Sequence, residues 1–303
     1  MICNKKCENY SKFYSNNESK SNHSFSRFLF PLYPYRVYKT TKFLITIAVL
    51  LALRIIFGSF SIPVPATGQS ISLAWIPVMI MGWIFGPVHG LFFGVVTDSL
   101  CFLIKPNGVW FWMYAIQEPI IGLFSGIARS IYERRITGNK KLIFDFFITQ
   151  IILVSFILIS LIGILLWVDN NILDYYNSYK YACISLSIAY FIIINCFMFF
   201  YLKNIKNNQE RFMLFLYGLT LISVIMIIFS LLLGPISTVE YLKYVNGKYP
   251  KNYVKYGLLY YFIPRAIVQT IKVPFEAIIF CSIVLIINPI LNNSITQLEN
   301  SWW

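Results

Sequence analysis

Long apolar runs recur along this chain and constrain its fold more than any other feature. A helix needs roughly 20 apolar residues to cross a hydrocarbon core of about 30 Å. Eight runs approach or exceed that length, at residues 43–58, 71–85, 88–104, 109–131, 143–167, 181–202, 212–234 and 257–287. The composition agrees, because 58% of the residues are hydrophobic and 12% are charged. The sequence therefore predicts an all-α integral membrane protein with about eight transmembrane helices, of which the second and third are short.

The first 41 residues differ from the rest, since Asn, Ser, Lys and Tyr dominate and no long apolar run occurs. We predict a disordered basic cytoplasmic tail at 1–41, followed by a helical bundle at 42–303. No apolar stretch follows a short basic start, so a cleavable signal peptide is not expected. Cys3 and Cys7 have no second Cys pair or His cluster to complete a zinc site, so no metal is predicted.

Basic residues are distributed unevenly between the two sides of the predicted bundle. With a cytoplasmic N-terminus, the segments 1–42, 129–142 and 203–211 carry sixteen Lys and Arg, and the segments on the other side carry six. Positive residues favour the cytoplasm, so both termini are predicted there, in a cell-membrane protein. The net charge of +13 is explained by this bias and by attraction to anionic lipid. Because the basic residues are split among loops, nucleic acid is not an expected partner.

Small residues recur at helical spacing within 84–98. Gly86, Gly90 and Gly94 would lie along one helical face, where they let a neighbouring backbone approach closely. Asp98 lies one turn beyond them, and a carboxylate in hydrocarbon needs a partner or water. The pattern predicts a packed bundle with a polar pocket. The alternative is a tight helix hairpin at Gly86-Pro87, with Asp98 paired only for structure.

Ionisable residues inside the predicted spans point to the same pocket. Three are cations and three are carboxylates, as a partly self-neutralising site requires. They are Arg54, Asp98, Glu118, Arg265, Lys272 and Glu276. From the rise of about 1.5 Å per residue, the first four come from different helices and reach the outer half of the bundle.

The last span carries one polar stripe on an otherwise apolar helix. Its members follow i, i+4, i+7, i+11 spacing and are Arg265, Gln269, Lys272 and Glu276. Pairing of Lys272 with Glu276 explains part of the stripe. The extra cation and the glutamine favour a ligand site.

The loop SFSIPVPATGQSIS at 59–72 is polar and rich in Pro and Gly, which favours a lid over an outward-facing pocket. We include Gln69 of this loop in the predicted substrate site. Trp75 and Trp110 flank the region and are candidates for stacking on a planar ring. The alternative for both is an aromatic belt at the membrane interface.

Four segments resemble the substrate-binding S components of energy-coupling factor (ECF) vitamin transporters, the folate family in particular. They are LRIIFGSFSIPVP at 53–65, ISLAWIPVMIMGWIFGPVHGLFFGVVTDSL at 71–100, KPNGVWFW at 105–112 and PRAIVQTIKVPFEAI at 264–278. The resemblance implies a six-helix bundle that captures a vitamin from outside and docks on a T component and two ATPase subunits. It also implies that Ala48 and Ala52, which match the family's AxxxA pattern, contact the T component.

The chain departs from that family in two places. Residues 143–203 add two apolar runs before the family's fifth helix, so we predict a six-helix S-component-like bundle with an inserted two-helix hairpin. Val268 stands where the folate-family pattern has a lysine, and Lys272 appears one turn later. This leaves the identity of the vitamin open.

The predicted function is vitamin capture by a transport subunit, with a folate-like vitamin as the ligand. The alternatives are a different vitamin, an integral-membrane enzyme or a secondary transporter. HExxH, GxSxG and Walker A sequences are absent, so neither catalysis nor ATP hydrolysis by this chain is expected, and no cofactor is predicted. No internal repeat favours a secondary transporter. The predicted substrate-binding residues are Arg54, Gln69, Trp75, Asp98, Trp110, Glu118, Arg265, Gln269 and Lys272.

Overall fold

The computed structural model describes residues 28–31, 39–60, 62–64, 69–105, 108–137, 142–166, 173–204 and 209–300. The helices are α1 (Thr41–Ser59), α2 (Ile76–Phe85), α3 (Pro87–Ile104), α4 (Trp112–Ala115), α5 (Gln117–Thr137), α6 (Leu142–Leu166), α7 (Leu173–Asn204), α8 (Gln209–Ile225), α9 (Leu233–Asn246), α10 (Lys251–Tyr256) and α11 (Leu259–Asn300). A π-helical segment, π1 (Met226–Leu232), joins α8 to α9 without a break. Strands β1 (Ile62–Val64) and β2 (Gln69–Ile71) form an antiparallel hairpin in which Pro63 faces Ser70.

Each predicted apolar run overlaps a helix of the structure. Four helical stretches of the described residues are long and apolar enough to cross a bilayer, at Thr41–Ser59, Pro87–Ile104, Arg211–Asn246 and Tyr260–Pro289. The second predicted run starts later than expected, because β2 and a turn occupy its first residues. These helices identify a multi-pass membrane protein. Its exact number of spans and its orientation remain predictions.

The centre of the bundle is the short helix α2, whose ten residues are all buried. At about 1.5 Å per residue it is roughly 15 Å long, half the thickness of a bilayer core. Its neighbours are α1, α3, α5 and α11. A helix this short stays in the membrane interior because protein surrounds it.

Helices α2, α3 and α5 pack through glycines at backbone distance. A Cβ added at Gly90 would collide with the Gly122 backbone, and one at Gly94 would collide with the backbone of Glu118. This confirms the predicted close approach. Gly86, however, lies outside the helix: it forms a one-residue turn between α2 and α3 with φ of 97°. The tight hairpin considered as an alternative is therefore present together with the glycine packing.

Helices α6 and α7, which we predicted from the sequence to be an inserted hairpin, pack against the bundle through α8, π1 and α11. Its opposite face exposes large apolar side chains such as Ile151 and Phe199. Lipid covers such a face in a membrane protein.

Helix α2 separates two polar regions, which we name by their landmarks. The end of the bundle beside the β1–β2 hairpin is called the hairpin end, and the opposite end, beside Gly86, is called the turn end. Residues 28–31 contact the turn end, where the Phe30 ring is 5.4 Å from that of His89. Residues 1–27 and 32–38 of the predicted tail lie outside the described residues, so the disorder of the tail stays a prediction.

Candidate functional site

A partly open cavity of about 840 Å³ lies at the hairpin end. Its wall comes from the ends of α1 and α3, the residues between β2 and α2, and the facing parts of α4, π1, α9 and α11. Ligand pockets in proteins commonly measure about 300–1,000 Å³. The cavity is therefore large enough for a vitamin-sized molecule.

Six of the nine predicted site residues line this cavity: Arg54, Trp75, Asp98, Arg265, Gln269 and Lys272. Glu118 is buried behind the wall, where it pairs with Arg54. Trp110 is not on the wall, and 54% of its surface is exposed. The side chain of Gln69 lies outside the described residues, although its backbone forms the start of β2.

The Arg54–Glu118 pair joins α1 to α5 beneath the cavity. Arg54 Nε donates to both carboxylate oxygens of Glu118, at 3.0 and 3.2 Å, and Nη2 donates to Oε1 as well. The Thr97 hydroxyl of α3 lies 2.9 Å from Glu118 Oε2 and 2.9 Å from the Phe93 carbonyl of its own helix, and its single hydrogen favours the charged carboxylate. A buried ion pair is retained only when such further hydrogen bonds satisfy it. This pair fixes Arg54 in place and neutralises it.

Arg265 differs from Arg54 because no carboxylate neutralises it among the described residues. Its Nη2 donates to the Thr238 hydroxyl at 2.7 Å, and its Nη1 lies 3.5 Å from the Ser230 carbonyl. Its buried Nε has no hydrogen-bond partner in the described part of the chain. A guanidinium presents donors in a planar fork that matches a carboxylate. Arg265 therefore presents unsatisfied positive charge at the cavity.

Gln269 lies one turn below Arg265 and is also incompletely bonded. Its Nε2 donates to the Ser230 hydroxyl at 2.8 Å, whereas its buried Oε1 finds no donor among the described residues. Ser230 belongs to π1, so this non-α segment supplies polar contacts to both residues. Segments of π-helix are frequent at functional sites.

Lys272 completes the polar stripe of α11. Its Nζ lies 3.1 Å from Glu276 Oε1, which confirms the pairing expected at i, i+4. The same Nζ lies 5.8 Å from the centre of the Trp75 ring, within cation–π range. Lys272 thus faces both the cavity and the buried carboxylate behind it.

Positive charge exceeds negative charge around the cavity. The wall carries the cations Arg54, Lys105, Arg265 and Lys272 and the carboxylate of Asp98. Glu118 and Glu276, behind the wall, neutralise Arg54 and Lys272. One positive charge remains in excess, which favours an anionic ligand.

Several residues of the cavity wall were not predicted from the sequence, among them Lys105, Tyr114, Ser230, Thr238 and Tyr241. Tyr114 Oη lies 3.3 Å from Thr238 Oγ1, and the backbone N–H of Val109 donates to Tyr241 Oη at 3.2 Å. These contacts tie α4 and the segment before it to α9. Tyrosine and serine do not stand out in an apolar sequence. Lys105 could have been predicted, since a cation that directly follows the apolar run 88–104 stands out in the sequence.

Ala48 and Ala52 lie one turn apart on α1, off the cavity wall, and both are exposed. Small exposed residues at this spacing allow another helix to pack closely. A role in contacting a partner remains a prediction.

The fold and the cavity together define a class: a helical membrane protein with a cationic pocket at one end of the bundle. Residues 38–182 match the family described as the S component of the ECF-type riboflavin transporter. A UPF0397 protein of Streptococcus pneumoniae (strain Hungary19A-6) is 31% identical over 99 residues, which cover 33% of this chain and 53% of that protein. The family match favours an S component of an ECF transporter, the name of the Streptococcus protein states no activity, and neither match names folate. No solved structure matches the chain.

The chain belongs to the family of the protein MG313 of Mycoplasma genitalium. The two sequences are 34% identical over 291 residues, which cover 90% of this chain and 99% of MG313. The MG313 homolog of Mycoplasma pneumoniae is 30% identical over 288 residues, again covering 90% and 99%. The similarity therefore covers nine-tenths of this chain and nearly the full length of each relative.

Proposed function

We propose that this protein is the substrate-binding subunit of an ECF vitamin transporter and captures an anionic vitamin, folate or a folate derivative, in the cavity at the hairpin end. The observation that carries the proposal is Arg265, a cavity cation without a carboxylate partner in the described chain, beside the unsatisfied Oε1 of Gln269. Buried polar groups are normally satisfied. A ligand carboxylate and a ligand N–H group would satisfy these two.

The rest of the wall suits a molecule with a flat ring and an anionic tail. Trp75 offers an aromatic face, and Asp98 offers acceptors for the N–H groups of a pterin. A glutamate tail would pair with Arg265 and with Lys272. Arg54 is held by Glu118 and adds positive potential. The β1–β2 hairpin contacts α11 and would act as the lid of the cavity.

A neutral flavin is a second candidate, because residues 38–182 match the riboflavin S component family. A flavin would also stack on Trp75. Because the flavin ring is uncharged, its binding would not depend on the excess positive charge of the cavity. The two candidates therefore differ in how strongly binding depends on ligand charge.

The chain would not energise transport by itself, since it has no Walker A sequence. We propose that a T component packs on the exposed Ala48–Ala52 face of α1 and that two ATPase subunits supply the energy. In this arrangement the hairpin end faces the outside, and both termini face the cytoplasm.

The test is ligand binding by the purified protein in detergent without ATP, followed by thermal unfolding. Folic acid should raise the unfolding temperature, and riboflavin at the same concentration should raise it less. A shift with riboflavin alone would overturn the folate assignment in favour of the flavin. No shift with either vitamin would overturn both.

Transport tests the partner assignment separately. Uptake of folic acid into cells should require co-expression of the T component and both ATPases. Sustained uptake into vesicles that contain this chain alone would contradict a role as an S component.

A further inference from the structure

Glu276 is a carboxylate without any exposed surface in the middle of α11. Its Oε1 forms an ion pair with Lys272 Nζ at 3.1 Å, and neither carboxylate oxygen has a hydrogen bond of good geometry among the described residues. A buried carboxylate keeps its charge only while a cation or several donors compensate it. Glu276 therefore depends on Lys272 for its charge.

The other groups around Glu276 do not replace Lys272. The titratable and charged groups that face it in the described chain are Lys272, on its own helix, and Tyr190, on α7 of the inserted hairpin. Helix α8 contributes the neutral hydroxyl of Ser223, which lies beside Tyr190. Among the described residues, neither the Ser223 hydroxyl nor the Tyr190 hydroxyl forms a hydrogen bond of good geometry. Helix α2 contributes apolar contacts, with Trp83 packed edge-on against Phe280 one turn beyond Glu276.

Lys272 is the link between Glu276 and the cavity. It lines the cavity, and its ammonium lies near the Trp75 ring on that side. A ligand carboxylate that binds beside Arg265 and Gln269 would reach the same helix face, where Lys272 comes next. The ligand and Glu276 would then compete for one ammonium group.

We propose that an anionic ligand takes Lys272 from Glu276 and that Glu276 takes up one proton in the same step. One ligand carboxylate pairs with the Lys272 ammonium, and a proton from the bulk solution, relayed by water in the cavity, converts the Glu276 carboxylate to a carboxylic acid. Charge balances at this pair, because that ligand carboxylate and the proton enter together. This inference rests on the proposed capture of an anionic vitamin and specifies how the membrane interior accepts the negative charge.

Two measurements on the unaltered protein test the proton uptake. Titration calorimetry with folic acid at pH 6–7.5, repeated in two buffers with different ionisation enthalpies, should give one proton taken up per ligand bound. The carboxylates of folic acid, like that of Glu, ionise near pH 4.3, so they do not contribute in this range. The affinity for folic acid should fall by about tenfold for each unit by which the pH rises, over the range in which binding takes up one full proton. Infrared difference spectra should show a new protonated-carboxyl band on binding.

Variants assign the proton to its site. In Glu276→Gln the carboxyl band and the proton uptake should both disappear, and affinity should become independent of pH. The matched control is Asp145→Asn, which removes another buried carboxylate that pairs with Arg135 at the turn end. This control should still take up one proton. If Glu276→Gln fails to fold, the infrared band of the unaltered protein still decides the matter.

The outcomes separate this inference from the proposed function. Folic acid binding without proton uptake and without a carboxyl band would overturn the inference and leave the proposed function intact. Proton uptake that persists in Glu276→Gln would also overturn it. Absence of folic acid binding would overturn both.

Discussion

Two arginines, the buried Arg129 and the half-buried Arg265, show how the two ends of the bundle differ. Arg129 lies at the turn end, where its Nη1 donates to the carbonyls of Trp83 and Ile84 at 2.9 and 3.2 Å and its Nε donates to Glu133 at 2.7 Å. Arg265 lies at the hairpin end, where no carboxylate of the described chain meets it and its Nε is unsatisfied. The arginine at the turn end is therefore paired with a carboxylate, whereas the arginine at the hairpin end has no carboxylate partner in the described chain.

The difference teaches how to separate structural charge from binding charge. Arg129 satisfies the last carbonyls of α2, which a helix leaves without partners and which attract positive charge. It therefore holds the bundle together. Arg265 borders a cavity and keeps donors available, as a ligand site requires. The clearest difference between the two arginines is in their partners: Arg129 pairs with a carboxylate, and Arg265 meets none in the described part of the chain.

The largest effect is expected where the rigid part of the bundle is forced apart. In Gly122→Ala the new Cβ would meet the Gly90 backbone, which cannot move aside. We expect a loss of about 3 kcal/mol in unfolding free energy, at the upper end for overpacked sites. Gly218→Ala is the control, because its Cβ meets the side chains of Cys281 and Phe280. Equal stability of the two variants in thermal unfolding would contradict the packing described here.

Removing Arg129 should reduce stability without affecting the ligand. Arg129→Ala breaks the pair with Glu133 and leaves two α2 carbonyls unpaired, so we expect a loss of about 2–4 kcal/mol in unfolding free energy. The affinity of the folded protein for folic acid should be unchanged. The exposed Arg211 provides the control, since Arg211→Ala removes a cation without these contacts. A fall in affinity with intact stability would reverse the roles assigned to the two ends.

Removing Arg265 should have the opposite result. Arg265→Ala deletes a charged hydrogen-bond donor to the ligand, so we expect a loss of about 1.5–3 kcal/mol in binding free energy, or about 10- to 150-fold in affinity. Ligand-free stability should change by less than about 1 kcal/mol, because little is bonded to Arg265 in the fold. Lys243→Ala is the control: Lys243 is a partly exposed cation near the same end but not on the cavity wall. Calorimetry that gives equal affinities for both variants would remove Arg265 from the site.

The smallest effect concerns the support of Arg54. Thr97→Val removes the hydroxyl that donates to Glu118 at 2.9 Å, and we expect a loss of about 1 kcal/mol in unfolding free energy. Ser99→Ala is the matched control, because that exposed hydroxyl bonds only to the Val95 carbonyl of its own helix. Chemical denaturation should separate the two variants. If they are equally stable, Thr97 does not support the ion pair.

Much of this arrangement was predictable from the sequence, because charge and glycine are conspicuous in an apolar chain. Arg54, Asp98 and Arg265 come from distant segments and line one cavity, as their helical positions indicated. The pairing of Arg54 with Glu118 was not predictable, since it depends on how α1 and α5 are rotated. Trp110 was placed near the cavity by sequence proximity alone, and it lies off the wall. Ser230 was missed because its role follows from π1, which apolar periodicity does not reveal.

The central claim is that the cavity at the hairpin end is open to water and carries excess positive charge. Cys101 lines that cavity and provides a native probe. In a variant that retains Cys101 alone, an anionic, membrane-impermeant thiol reagent should label it from outside, faster than a cationic reagent of the same size, and folic acid should slow the labelling. Failure of both reagents to reach Cys101, or faster labelling by the cationic one without protection by folic acid, would contradict the account.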